Sequence, residues 1–147
     1  LHLLSRRQRQ MCIRDRLNPK TVCKNIDFSG RSLIPVRQGY TKCSVVPVTE
    51  SAIITDDVSI ASAAEKNGLA VLLVSKGDVA LSGREYGFIG GCCGLIAPDT
   101  MLFNGSLSSH RDGEKIRTFL SSFGVRAEEA GDFQLTDIGS ILPLAER

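Results

Sequence analysis

Two segments of this chain, Cys43–Leu69 and Cys92–Val125, follow one pattern of residues. Each has an apolar stretch, a short polar turn, a second apolar stretch, an amphipathic segment, a glycine and a third apolar stretch. A shift of about 49 residues superimposes them as far as an extra stretch near 107–113, after which Gly68 aligns with Gly124. A strand–strand–helix–strand (ββαβ) unit cannot bury its apolar face alone, so the repeat predicts units that stack or surround an axis.

The first unit is predicted over residues 40–77 and begins with a hairpin whose strands lie within 43–55. The Asp56–Asp57 pair is placed to cap the helix that follows. Gly68 is expected to end that helix, because glycine adopts a positive φ without a clash of Cβ. The continuous apolar run Leu69–Val74 then indicates a strand that is covered on both faces.

The second unit is predicted over residues 86–130, with Tyr86–Ile96 as a glycine-rich strand. Asp112 is expected to cap the helix of this unit. The apolar stripe of the helix recurs at i, i+3, i+4 and i+7 and consists of Ile116, Phe119, Leu120 and Phe123. A closing strand is predicted over Asp137–Pro143.

Positive charge is concentrated at the start of the chain. Residues 1–16 contain five arginines and one aspartate and so carry +4, which leaves −2 for residues 17–147 out of the net charge of +2. The run Arg6–Arg16 resembles the translation of a sequencing adapter, so we set residues 1–16 aside as an artefactual or disordered tail. The remaining domain, residues 17–147, has no basic excess, and we expect no nucleic-acid partner.

The five cysteines indicate reduced thiols. They form neither a C-x-x-C motif nor paired Cys/His spacing, so we expect no metal and no cofactor. The sequence shows no secretory signal and no apolar run long enough for a membrane span, which favours a cytoplasmic protein with no membrane partner. Adjacent residues of a strand point to opposite faces, so Cys92 and Cys93 are expected to diverge rather than to form a disulfide.

Five motifs between Gly39 and Leu144 carry a resemblance to known proteins. They are Gly39–Ser44, Ile53–Asp56, Tyr86–Gly91, Asp112–Ile116 and Asp137–Leu144. This stretch resembles an uncharacterised bacterial family assigned to the penteins, the superfamily of guanidino-modifying enzymes. The resemblance implies an α/β fold in which repeated ββαβ units form a propeller. A pentein propeller has five units, so the chain is expected to be an N-terminally truncated copy.

The resemblance also implies a chemistry, since penteins act on guanidino groups with a cysteine nucleophile, a histidine acid/base and acidic residues that hold the cationic substrate. Cys92 and Cys93 are the candidate nucleophiles, because they follow Gly90 and Gly91, where the backbone can approach a ligand closely. The alternative is that this glycine-rich strand needs small residues for packing, with the cysteines acting as small hydrophobic groups.

His110 is the candidate acid/base, and His110–Asp112 is similar to the His-x-Asp stretch of these enzymes. In characterised penteins the catalytic cysteine follows the histidine, whereas no cysteine follows His110. Asp137, with Gly90 and Gly91, is the candidate ligand-binding group, and its alternative role is in a turn or at the end of a strand.

Two classes of function follow. In this chain the candidate cysteines precede the histidine, which is the reverse of their order in characterised penteins. This difference favours a small-molecule-binding or structural domain without a complete catalytic triad, with a small cationic or polar ligand as its partner. The alternative is a relative of the Cys-dependent guanidino-modifying hydrolases or amidinotransferases. A fold alone does not decide between them.

Overall fold

The computed structural model describes Ile34, Val36 and residues 41–144. Its first half contains α1 (Thr41–Ser44), β1 (Val45–Thr49), β2 (Ala52–Thr55), α2 (Val58–Lys66) and β3 (Ala70–Leu73). Its second half contains β4 (Cys93–Ala97), β5 (Thr100–Phe103), α3 (Gly113–Ser122) and β6 (Arg126–Glu129). Short 3₁₀ turns cover Ile89–Gly91 and Leu107–Ser109. The predicted tail, residues 1–16, lies outside the described residues.

The six strands form two three-stranded sheets in a mixed α/β fold, with strand orders β1-β2-β3 and β4-β5-β6. In each sheet the middle strand pairs antiparallel with the strand before it and parallel with the strand after the helix. The hairpins also share an irregularity, because the register shifts between Pro47 and Thr49 and between Leu95 and Ala97. Strand order, direction and register therefore agree between the two sheets.

The pairing of the strands gives an offset between the two segments that differs by one residue from the offset predicted from sequence. Val45 pairs with Thr55 and Cys93 pairs with Phe103, so equivalent hairpin positions are 48 residues apart. The shift of about 49 residues taken from the sequence would align Ile53 with Leu102, and the pairing shows that this alignment is wrong. A shift of one residue exchanges the faces of a strand, so this correction decides which side chains are equivalent.

The two faces of the first sheet pack against different partners. Ile53 lies in a small apolar cluster with Ile60 of α2. Ile54, its neighbour in β2, points to the other face and belongs to the main core together with Phe103 of β5 and Leu120 of α3. The first sheet thus separates α2 from the core that it shares with the second half.

The helix ends match the sequence signals in three of four cases. The Asp57 carboxylate accepts hydrogen bonds from the N–H groups of the first turn of α2, so its role as a cap is confirmed. Gly68 and Gly124 follow α2 and α3 with φ of 81° and 70°, as predicted. Asp112 is at the N-cap position of α3 as predicted, but its carboxylate makes no capping bond and instead accepts bonds from the Ser75 N–H and Lys115.

Two of the three other strand predictions need correction. The strand predicted over Tyr86–Ile96 is shorter than expected. Ile89–Gly91 forms a 3₁₀ turn, and the strand, β4, begins only at Cys93. The prediction that β3 is covered on both faces is confirmed, because Ala70 and Leu72 pack on the main core and Val71 packs on the cluster of Ile53 and Ile60, although Leu73 is 45% exposed at the edge of the sheet. No named strand covers Asp137–Pro143, which the structure does describe.

The segments that follow the two sheets lie side by side. Ala80 and Thr136 form a parallel bridge, and the Ala80 N–H donates to the Leu135 carbonyl at 2.7 Å while its carbonyl accepts from the Asp137 N–H at 2.8 Å. Ala80 and Thr136 are 56 residues apart, the same separation as the first residues of β3 and β6.

None of the helices among the described residues has the length and the apolar character of a membrane span.

Candidate functional site

Two carboxylates from distant parts of the chain meet at one turn, Phe88–Gly91, which we call the central turn. Asp56 directly follows β2, and its Oδ2 accepts a hydrogen bond from the Ile89 N–H at 3.4 Å. Asp137 follows the bridge to Ala80, and its Oδ2 accepts from the Phe88 N–H at 3.0 Å. Consecutive backbone N–H groups therefore bind the two acids, which places both at the start of the second half of the fold.

The glycines of the central turn permit this close approach. A Cβ at Gly91 would overlap the carboxylate of Asp137. A Cβ at Gly90 would lie 2.6 Å from the carbonyl oxygens of Cys43 and Val45, closer than real side chains approach a backbone. The structure thus brings together the three residues predicted to bind a ligand, Gly90, Gly91 and Asp137, and their role as ligands stays a prediction.

Both carboxylates are buried, and Asp56 is incompletely bonded. Asp56 is 4% exposed and Asp137 is 9% exposed. Neither forms an ion pair with a lysine or arginine among the described residues. Asp137 Oδ1 accepts from the Gly139 N–H at 2.8 Å. Asp56 Oδ1 and the buried Ser44 hydroxyl make no hydrogen bond of ordinary geometry among the described residues, although Ser44 is close enough to Asp56 to lower the pKa of its carboxyl. The site therefore contains uncompensated buried oxygen atoms.

Burial sets the electrostatics of Asp56. Loss of solvent raises the pKa of its carboxyl above the ordinary value, since the charged form is disfavoured away from water. The Ile89 N–H, the Lys76 ammonium and the Ser44 hydroxyl oppose this rise, and the Asp57 charge adds to it. Asp56 is thus more easily protonated than an exposed aspartate.

Cys43 lies beside the same acids, in α1, and is half-buried. Burial and the charges of Asp137 and Asp56 raise the pKa of its thiol, and Lys42 opposes them. Sequence reasoning missed Cys43 and Ser44 as neighbours of the site. The motif Gly39–Ser44 contained them, but only tertiary contacts place them near the central turn.

The candidate nucleophiles Cys92 and Cys93 point toward the same atom. Both thiols are buried and donate to the carbonyl of Ile89, at 3.2 and 3.4 Å. Their predicted divergence is wrong, because Cys92 ends the 3₁₀ turn and only Cys93 belongs to the strand. The Cys92 thiol and burial raise the pKa of Cys93 well above its usual range, so this thiol stays protonated at neutral pH.

The candidate acid/base His110 is buried in another hydrogen-bond network. Its Nδ1 accepts from the Asp112 N–H at 3.0 Å, so the neutral ring carries its proton on Nε2, which has no partner among the described residues. Asp78 lies 3.9 Å from Nδ1 and is held by the guanidinium of Arg111. No hydrogen bond in the described structure joins His110 to Cys92 or Cys93.

The acids around His110 have structural partners. Arg111 binds Asp78 through two side-chain nitrogens, at 2.7 and 2.8 Å, and lowers the pKa of that carboxyl to about 2. Lys115 and Ser75 lower the pKa of Asp112. These contacts tie the segment after β3 to the start of α3. Within residues 34, 36 and 41–144, no group of three or more His, Cys, Asp or Glu side chains could hold a metal ion.

Comparison with known proteins places the chain in a family but not in an activity. The model of a family of unknown function (DUF6873) matches residues 6–142. The chain belongs to this family. The family match begins inside the segment 1–16, and the boundary at residue 16 stays a prediction. No curated protein and no solved structure matched the chain.

Proposed function

We propose that this chain is a small-molecule-binding domain that holds a small cation against Asp56, with Asp137 contributing a second negative charge. The observation that carries this proposal is the free Oδ1 of Asp56, on a side chain that is 4% exposed and has no paired lysine or arginine in the described structure. Buried charges in proteins are normally paired, neutralised or bound to a cation.

The position of the two acids favours a cationic ligand over a neutral one. Asp137 accepts hydrogen bonds at both of its oxygens, which stabilises its ionised form. In a site with little water, such a charge attracts a cation more strongly than it would at the surface. A ligand ammonium or guanidinium would also give Asp56 Oδ1 and the Ser44 hydroxyl the hydrogen bonds that they lack.

We further propose that the two halves are ββαβ units of a pentein-type propeller, with the site near its axis. The shared strand order, register and irregularity support this arrangement. So do Asp56 and Asn104, which each follow the middle strand of a sheet and bond to the segment entering the next unit. Asp56 accepts from the Ile89 N–H, and Asn104 donates to the Thr136 carbonyl at 2.9 Å.

Binding without turnover is the form of the proposal that the candidate catalytic residues favour. A thiol nucleophile needs a lowered pKa and a base within hydrogen-bonding distance. The Cys93 thiol has a raised pKa, and His110 is bonded to the Asp112 N–H rather than to a cysteine. Cys43, the thiol beside the acids, also has a raised pKa. No observation favours the alternative of a guanidino-modifying enzyme.

A thermal-shift screen at neutral pH tests the proposal. Agmatine, putrescine and choline are compared with neutral urea and anionic succinate at low ionic strength, because salt screens the attraction. We expect at least one of the three cations to raise the melting temperature in a saturable way and the two controls not to do so. Failure of all three cations would contradict the proposal.

The same samples are assayed for release of ammonia or urea. We expect none. Turnover of agmatine that is lost in both Cys92→Ser and His110→Ala, or in both Cys93→Ser and His110→Ala, would replace the binding role by the enzymatic alternative.

A further inference from the structure

Asp56 and Asp137 bind the same turn but are bonded in opposite ways. Asp137 uses both oxygens, in bonds of 2.8 and 3.0 Å from backbone N–H groups. Asp56 has one long bond, 3.4 Å from the Ile89 N–H, and a bare Oδ1. An ionised carboxylate offers about four acceptor positions and is stabilised by several donors. The surroundings of Asp137 therefore suit a charge, and those of Asp56 suit a neutral acid.

We propose that Asp56 carries a proton when no cation is bound and releases it when a small cation binds at its Oδ1. This inference rests on the proposed function and adds that binding of the cation releases one proton. A carboxyl that is 4% exposed and accepts one long hydrogen bond is held more easily as a neutral acid than as a buried charge.

The charged groups that face Asp56 do not reverse this assignment. Burial, the largest effect, raises the pKa of its carboxyl, and the Asp57 charge before α2 acts in the same direction. The Lys76 ammonium, beyond β3, lowers it, but Lys76 is exposed and makes no ion pair with Asp56. On the side of α1, the Cys43 thiol has a raised pKa and so adds no charge at neutral pH.

The exchange balances in atoms and charge. The cation approaches the protonated carboxyl, the O–H bond of Asp56 breaks, and the proton passes to solvent buffer. The products are an ion pair at Asp56 and one free proton, so the charge of the cation is conserved in the overall reaction. By linkage, acid weakens cation binding, and affinity rises up to about tenfold per pH unit while free Asp56 is protonated, then levels off.

Isothermal titration calorimetry of the full chain with agmatine, putrescine or choline measures the released proton. Titrations from about pH 4 to about pH 8 are run in pairs of buffers that differ in ionisation enthalpy. We expect release approaching one proton on the acidic side and declining to none as the pH rises. Asp137→Asn should bind more weakly but still release the proton. Binding without proton release at every pH would overturn this inference and leave the proposed function standing.

A second measurement does not depend on a ligand. Carbon-13 NMR of the aspartate carboxyl groups, with the Asp56 resonance assigned from Asp56→Asn, follows protonation in the protein alone. We expect Asp56 to titrate above the ordinary aspartate value of about 3.9. Titration of Asp56 at or below that value would overturn the inference, whether or not any of the three cations binds.

Discussion

Asp56 and Asp137, separated by most of the described chain, accept hydrogen bonds from the consecutive N–H groups of Ile89 and Phe88. The central turn is therefore a place where the end of the first sheet, the start of the second and the final segment meet. An ionised Asp56 opposes folding, because its carboxylate is 4% exposed and its Oδ1 lacks a hydrogen-bond partner among the described residues. The proposed role as a cation site accounts for this arrangement.

Gly91→Ala tests the close approach of Asp137 to the central turn. The added Cβ would overlap the Asp137 carboxylate, and we expect a loss of about 1–3 kcal/mol in the free energy of unfolding, as for other overpacked sites. Urea unfolding measures this loss. In an Asp137→Ala background the same change should cost clearly less, because the clashing group is gone. Equal costs in the two backgrounds would show that another contact excludes a side chain at this position.

Asp56→Asn tests the cost of the buried acid. The folded pKa of Asp56 is raised, so as the pH rises the unfolded chain ionises first and the group lowers the stability of the wild type. We expect Asp56→Asn to be more stable than the wild type above about pH 4, with no difference below it. Asp137→Asn is the matched control and should be less stable at neutral pH, because it loses hydrogen bonds made by a charge. A destabilised Asp56→Asn at neutral pH would contradict the account.

Asp78→Asn tests the ion pair beside His110. Arg111 lowers the pKa of Asp78 to about 2, so its contribution to stability is present above the unfolded value of about 3.8 and is lost as the pH falls toward about 2. Urea midpoints of the wild type should fall over this range more steeply than those of Asp78→Asn. The exposed Asp132→Asn should behave as the wild type does. Parallel acid profiles for all three proteins would show that the pair contributes nothing.

Leu120→Ala and Phe119→Ala test which side of α3 faces the core. Leu120 is fully buried, and its truncation should cost about 2–5 kcal/mol in urea unfolding. Phe119 is half-buried and contacts Phe123 with ring centroids 5.0 Å apart and ring planes tilted by 56°, so its truncation should cost less than that of Leu120. The opposite order of the two costs would mean that the helix is rotated from the orientation described.

Local signals were sufficient for much of the fold. Asp57 and Gly68 predicted the two ends of α2, because caps and positive-φ glycines act within a few residues. The same logic failed at Asp112, which occupies the position of a cap but binds the Ser75 N–H, a contact from 37 positions away in the chain. Local sequence propensity cannot predict that a backbone N–H from a distant part of the chain takes the place of the capping bond.

The candidate site was predictable only in part. Gly90, Gly91 and Asp137 were singled out from the sequence, and the structure places Gly91 against Asp137 and Gly90 against the carbonyls of Cys43 and Val45. Asp56 was interpreted mainly as a helix cap, since the sequence does not show that Asp57 takes that role alone. The 3₁₀ turn that turns both Cys92 and Cys93 toward Ile89 was hidden because its residues also suit a glycine-rich strand.

The central claim is that a small cation binds at Asp56, and calorimetric titration of agmatine, putrescine and choline at neutral pH tests it most directly. We expect saturable binding of at least one of them to the wild type and to Asp132→Asn, an exposed control of the same charge change. Asp56→Asn should lose at least about tenfold in affinity, as for removal of a buried charged hydrogen-bond partner. Equal affinity of wild type and Asp56→Asn, or no binding of any of the three cations, would contradict the account.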